Sequence, residues 1–134
     1  MIKPALTALL LTALLSGCAT SSDVRRAPVT EGVSRDYNAP YEETKRLALE
    51  SLQGLNVDVN SASESGSIYT IMFSKPMTAF SWGEVGRVSV LDLSPQSRVT
   101  VLSEKRSKYQ ITGTDEDEFA EAVFEGIDYA LGGR

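Results

Sequence analysis

The chain has 134 residues, is 42% hydrophobic and 23% charged, and carries 18 acidic against 13 basic side chains, a formal net charge of -5. This is the composition of an ordinary globular domain rather than a disordered chain, and its acidic balance argues against nucleic acid as a partner. With no histidine and a single cysteine, Cys18, the sequence excludes Ser-His triads, imidazole sites and intramolecular disulfides.

Met1 to Lys3 open the chain with one positive charge, and Leu6 to Leu15 are all Ala, Leu or Thr. As a helix those ten residues span about 15 Å, half of a bilayer core, which is too short to cross it and fits the apolar centre of a signal peptide. Small residues, Ser16 and Gly17, then precede Cys18. The cysteine is open to several readings: redox sensor, nucleophile, half of an intermolecular disulfide, buried hydrophobe or point of attachment. Leu15, Ser16, Gly17 and Cys18 together resemble the lipobox of bacterial lipoproteins, the alternative being an ordinary secretory peptide. The resemblance implies cleavage between Gly17 and Cys18, a diacylglycerol carried on the sulfur as a thioether, and a further acyl chain on the new amino terminus. At about 0.8 kcal/mol per buried methylene, three chains hold a protein firmly in a leaflet. Ala19 stands where an aspartate would, in the enteric sorting rule, retain a lipoprotein in the inner membrane. The resemblance thus implies the periplasmic face of the outer membrane. With the thiol consumed, no cysteine nucleophile remains.

Residues 1–17 are therefore read as a signal peptide and 18–38 as a lipidated start followed by a flexible tether. Ala19 to Asn38 are polar, of mixed charge and without apolar period, and as a coil have a reach of roughly 25 Å. Arg25, Arg26 and Arg35 either touch anionic head groups or are merely solvated. A single α+β domain is expected over 39–134. Pro40, Glu42 and Glu43 suit a helix start, Tyr41, Ala48, Leu52 and Leu55 recur at helical spacing, and Gly54 is placed to stop the helix. Leu55 to Asn60 predict a first strand, NSASESG a turn, and Ser67 to Ser74 a second strand. Glu84 to Leu93 and Arg98 to Glu104 predict a hairpin about SPQS, with Val88, Val90, Val99 and Val101 alternating.

The end of the chain reads as a second helix. Thr114 is a candidate N-cap, Asp115 to Glu118 favour the positive end of the dipole, and Phe119, Val123, Ile127 and Ala130 form one stripe. Gly126 within it either allows close approach to the sheet or is incidental. The expected fold is a helix, a four-stranded antiparallel sheet and a helix, with both helices on one face of the sheet. This order, with its lipobox and polar segment, resembles that of small proteobacterial lipoproteins. More distantly it is similar to the helix-grip domains of BamC, a lipoprotein of the outer-membrane β-barrel assembly machinery. The likeness covers roughly residues 37 to 131, rests on element order and hydrophobic pattern, and carries over no binding residue.

Three stretches are candidate sites. In Lys75 to Gly83, KPMTAFSWG, the residues Met77, Phe80 and Trp82 are spaced too irregularly for one buried face, so they either contact a partner or close an open end of the core. Lys105 to Tyr109, KRSKY, either contacts lipid phosphates or an acidic partner, or is a charged strand end that opposes edge-to-edge pairing. The acids Asp115 to Glu118 suit helix capping better than calcium, because DEDEFAEAVFEG lacks the glycine an EF-hand needs at its sixth position. No SxxK or GxSxG pattern occurs. The sequence thus leads to a non-enzymatic module with no cofactor and no metal, bound to the membrane through its anchor. Its partners would be envelope proteins or cell-wall components. The alternative is a carrier of a small apolar ligand or lipid between helices and sheet.

Overall fold

A computed structural model describes residues 20–76, 83–105 and 116–132. In chain order these form α1 (Ser21–Arg26), β1 (Val33–Tyr37), α2 (Tyr41–Gln53), β2 (Asp58–Ser65), β3 (Ile68–Lys75), β4 (Glu84–Asp92), β5 (Ser97–Lys105) and α3 (Glu116–Gly132). The strands make one antiparallel sheet in the order β1-β5-β4-β3-β2. The α+β class and the antiparallel sheet agree with the sequence, whereas the count of four strands does not.

The fifth strand and the extra helix both come from the stretch read as a tether. α1 starts at a capping box: Thr20 Oγ1 accepts from the Asp23 amide at 3.2 Å, and Asp23 Oδ2 accepts from the Thr20 amide at 3.0 Å. β1 pairs with β5, Val33 facing Val101 and Tyr37 facing Ser97. Its inward positions are Val33, Arg35 and Tyr37, and an arginine in that series hides the two-residue period that identifies a strand. The arginine is accommodated because α3 lies above it: Arg35 bonds Asp128 at 2.7 Å and Glu121 at 2.9 Å, with its guanidinium 4.7 Å from the centre of the Phe124 ring.

β2 also differs from expectation. It starts at Asp58 and runs through the predicted turn to Ser65, with a bulge between Val59 and Ser61, so the reversal shrinks to Gly66 and Ser67. Serines read as turn residues pair here as an edge strand whose outer side chains remain in solvent. The predicted β4–β5 hairpin forms, with Val88 facing Val101 and Val90 facing Val99.

Two apolar clusters result. The larger joins α2, α3 and the inner face of the sheet through Leu47, Leu52, Phe73, Val88, Phe124 and Ile127 among sixteen buried residues. The smaller lies on the outer face, where Val24 of α1 packs with Met72, Val85 and Leu102. Phe73 stacks on Phe119 of α3 with ring centroids 5.0 Å apart. Gly126 does permit a close approach, though to α2 and not to the sheet. A Cβ there would stand 2.9 Å from Ser51 Cβ, and Ser51 Oγ donates to the Val123 carbonyl at 2.7 Å.

Gly86, the third residue of β4, admits no side chain: a Cβ would overlap the Phe73 ring and stand 2.6 Å from the Leu102 carbonyl oxygen. Gly86→Ala is expected to cost about 2–4 kcal/mol, the scale of overpacking that backbone must absorb. A denaturant midpoint shift for the chain from Ala19 onward measures it. Phe73→Leu in the same chain should recover part of the loss, by removing the ring edge from the clash.

Candidate functional site on the outer face of the sheet

Because side chains alternate along each strand, the outer face of this sheet is read directly from its register. It carries Ser61, Ser63 and Ser65 from β2, Thr70 and Met72 from β3, Arg87 and Ser89 from β4, Thr100 and Leu102 from β5, and Ser34 from β1. Most are hydroxyls. Ser34 and Thr100 share a hydrogen bond at 2.8 Å, and Arg98 bonds Asp36 at 2.7 and 3.1 Å, which holds the Asp36 carboxyl below its ordinary range.

Arg87 organises this face. It is only 4% exposed, and its guanidinium meets main-chain carbonyls instead of a carboxylate. Nη1 donates to Val24 at 2.9 Å and Ala27 at 2.6 Å, and Nη2 donates to Pro28 at 2.8 Å. These oxygens lie where α1 ends; those of Val24 and Pro28 also accept from the Ala27 and Glu31 amides, at 3.3 and 3.0 Å, and the negative end of the helix dipole suits a cation. Burial pulls the guanidinium below its ordinary value while Glu31 pulls it back; an arginine so placed remains charged. Arg87 thereby fastens residues 24–28 across β4 as a strap. Beside the strap lies a groove of about 490 Å³ walled by Arg25, Val29, Ser61, Ser63, Thr70 and Ser89. Among the described residues its lining offers hydroxyl groups and the cation Arg25, with no paired carboxylates.

A second polar cluster closes the opposite, inner face at one end of the sheet. Lys75, directly across from Glu84 in the register, bonds it at 3.1 Å, and Ser103 Oγ donates to the same carboxylate oxygen at 3.0 Å. Glu84 is 2% exposed, and the Lys75 ammonium lies 4.2 Å from the centre of the Phe119 ring. This pair fixes the register of β3 on β4 at the base of the 77–82 segment. Nearby, Glu116 begins α3 with Oε1 buried and unbonded. Burial pushes its carboxyl up, a hydrogen bond from the Ser103 backbone opposes this, and Asp117, Glu104 and Glu31 push it further up.

Cys18, Gly17, Met77, Phe80 and Trp82 lie outside the described residues, as do Arg106 to Tyr109, Thr114 and Asp115. What the structure fixes are the flanks of the aromatic segment: Pro76 is exposed, and Gly83 is buried at φ 90°. Among the described residues no three metal-ligating side chains converge. Arg87 and the strap escaped sequence reading, although Thr20 and Asp23 three positions apart are the signature of a capping box.

Arg87→Met should leave the core folded but free the strap. Charge-assisted bonds of about 2 kcal/mol are lost there, so trypsin is expected to cut after Arg25 and Arg26 roughly 30-fold faster, as followed by mass spectrometry. Glu116→Gln should raise stability at neutral pH by under about 1 kcal/mol. The sign follows from the upward shift: the folded chain binds this proton more tightly, so the wild-type penalty is full above the folded pKa. It vanishes below the ordinary carboxylate range, and the advantage of the variant should disappear with it in midpoints measured between pH 7 and pH 3.5. Compared with known proteins, the chain matches no family model, no curated protein and no solved structure.

Proposed function

We propose that this protein is a lipid-anchored module on the periplasmic face of the outer membrane, working without catalysis by binding envelope proteins or cell-wall components. The observation that carries this reading is the run Leu15-Ser16-Gly17-Cys18 at the end of a ten-residue apolar segment, two positions before the fold begins at Thr20. A chain attached there needs no spanning helix, and among the described residues no helix is long and apolar enough to cross a membrane. Its likeness to small lipoproteins and to the helix-grip domains of BamC belongs to the same reading and rests on element order and hydrophobic pattern.

A binding role is supported by what the polar groups do. The buried ones that the sheet gathers, Arg87, Glu84 and Ser103, are engaged by neighbours in the fold. No histidine or second thiol stands by to move protons or form a covalent intermediate. The partner surface proposed is Met77, Phe80 and Trp82, whose large apolar side chains suit an interface and whose segment springs from the clamped Lys75 and Glu84 pair. The carrier reading needs inward apolar positions beyond those that fill the core, and the sixteen buried residues of the main cluster pack on one another.

Cells expressing the chain should incorporate labelled palmitate into it, and Cys18→Ser should abolish both the label and membrane attachment. Attachment surviving that change would overturn the anchor. With a photoreactive amino acid at position 82, the expected product is a discrete crosslink to an envelope protein or to peptidoglycan, lost when the same residue is placed at exposed Glu50. Crosslinks equal at the two positions would remove the proposed partner surface.

A further inference from the structure

We infer that the domain lies on the bilayer with the outer face of its sheet toward the lipid and its helical layer turned away. The inference rests on the lipid attachment of Cys18 proposed above and adds the orientation that such an attachment imposes. Thr20 is already part of the fold, because its side chain and amide close the capping box of α1. Two residues of fully extended chain reach at most about 7 Å, so the attachment atom is held close to α1. α1 in turn is held to the outer face through buried Val24 and through Arg87. A lipid anchored at position 18 therefore emerges on the side of the sheet opposite α2 and α3. The standoff of about 25 Å that a 20-residue coil would give is not available to it.

Charge points the same way. α3 carries Glu116, Asp117, Glu118, Glu121, Glu125 and Asp128 with no basic residue, and α2 adds Glu42, Glu43 and Glu50 against Lys45 and Arg46. The strap and outer face carry acids too, Asp23, Glu31, Asp36, Asp58 and Glu104, but nearly balance them with Arg25, Arg26, Arg87 and Arg98. A bilayer with anionic phosphates therefore repels the helical layer more strongly and attracts exposed Arg25 and Arg26 at about 1 kcal/mol for each basic side chain near the surface. The exposed serines of β2 on that side, Ser63 and Ser65, are uncharged donors and acceptors that can meet phosphate and glycerol oxygens without desolvating a carboxylate. The partner of this face is a phospholipid surface. Envelope proteins and cell wall are left to the helical side and to the aromatic segment.

The test uses the full lipidated chain, in which Cys18 is blocked and a second cysteine can be labelled alone. Ser63→Cys and Glu125→Cys, both at exposed positions, are labelled with a fluorophore and the proteins reconstituted into vesicles of phosphatidylethanolamine and phosphatidylglycerol bearing a headgroup spin label. Quenching at position 63 is expected to exceed that at 125 at least threefold. Inserting a 20-residue Gly/Ser linker between Ala19 and Thr20 should at least halve this contrast. Equal quenching at the two positions in protein that floats with the vesicles overturns the orientation and leaves the anchor standing, and a contrast unchanged by the linker overturns the role of the short attachment. Protein that does not float overturns the anchor and the orientation with it.

Discussion

A sheet with apolar side chains on both faces has to be covered on both, and here the second cover is held by one buried cation. Arg87 stands near the centre of the outer face, where a charged group is costly unless its donors are all directed at acceptors. The solution is a strap of main chain whose carbonyls converge on the guanidinium. Each side makes the other possible: without the strap the cation would be bare, and without the cation a six-residue helix has too few hydrogen bonds to persist. Val24 then closes over Met72, Val85 and Leu102, which would otherwise be an apolar patch in solvent.

The same logic of matched polar groups recurs at the rim. Arg35 at the edge strand β1, Lys45 on α2 and Lys75 on β3 each bring a cation to an inward-leaning position, and each is met by carboxylates and an aromatic ring. Arg35 joins β1 to α3, Lys45 joins α2 to Glu64 of the opposite edge strand β2, and Lys75 joins β3 to β4 under Phe119. The Arg35 and Lys45 pairs, whose acids are largely exposed, add little stability singly, whereas the Lys75 and Glu84 pair is buried, so that losing either partner would leave a buried charge unmatched. Their effect is to select one register and one docking of helices on sheet, since any slip leaves a cation without its acid.

Periodicity made the two long helices and the β4–β5 hairpin legible, because Ala48 and Leu52, Phe119 and Val123, or Val88 and Val90 keep a strict spacing against a single core. Three features broke that rule. β1 has an arginine among its inward residues, β2 is a serine-rich edge whose pairing depends on β3 and not on its own hydrophobicity, and α1 is fixed by a residue sixty positions away. Local pattern cannot show such long-range compensation. Gly86 was silent for the same reason, since the demand for a bare backbone comes from Phe73 on the neighbouring strand. Of the candidate sites, the lipobox and the aromatic segment were read from sequence and lie outside the described residues, while the strap beside them was found only from the fold.

Because residues 20–37 are folded onto the sheet, attachment at Cys18, the anchor proposed above, has a different physical meaning than on a coil. A cysteine on a long coil would fix only a distance from the membrane and leave the domain free to rotate. A cysteine two residues from the N-cap of a helix that is bonded to the sheet limits rotation as well, because the closure entropy of a long loop is replaced by the stiffness of folded chain. The charge segregation between a helical layer rich in acids and an outer face rich in hydroxyls would have little directional effect on a domain tumbling 25 Å from the surface, beyond the roughly 8 Å over which physiological salt screens a charge. Held within that distance, the same segregation becomes an orienting force. Under the proposed anchoring at Cys18, the arginine that fastens the strap thus gives the attachment a defined presentation of the fold.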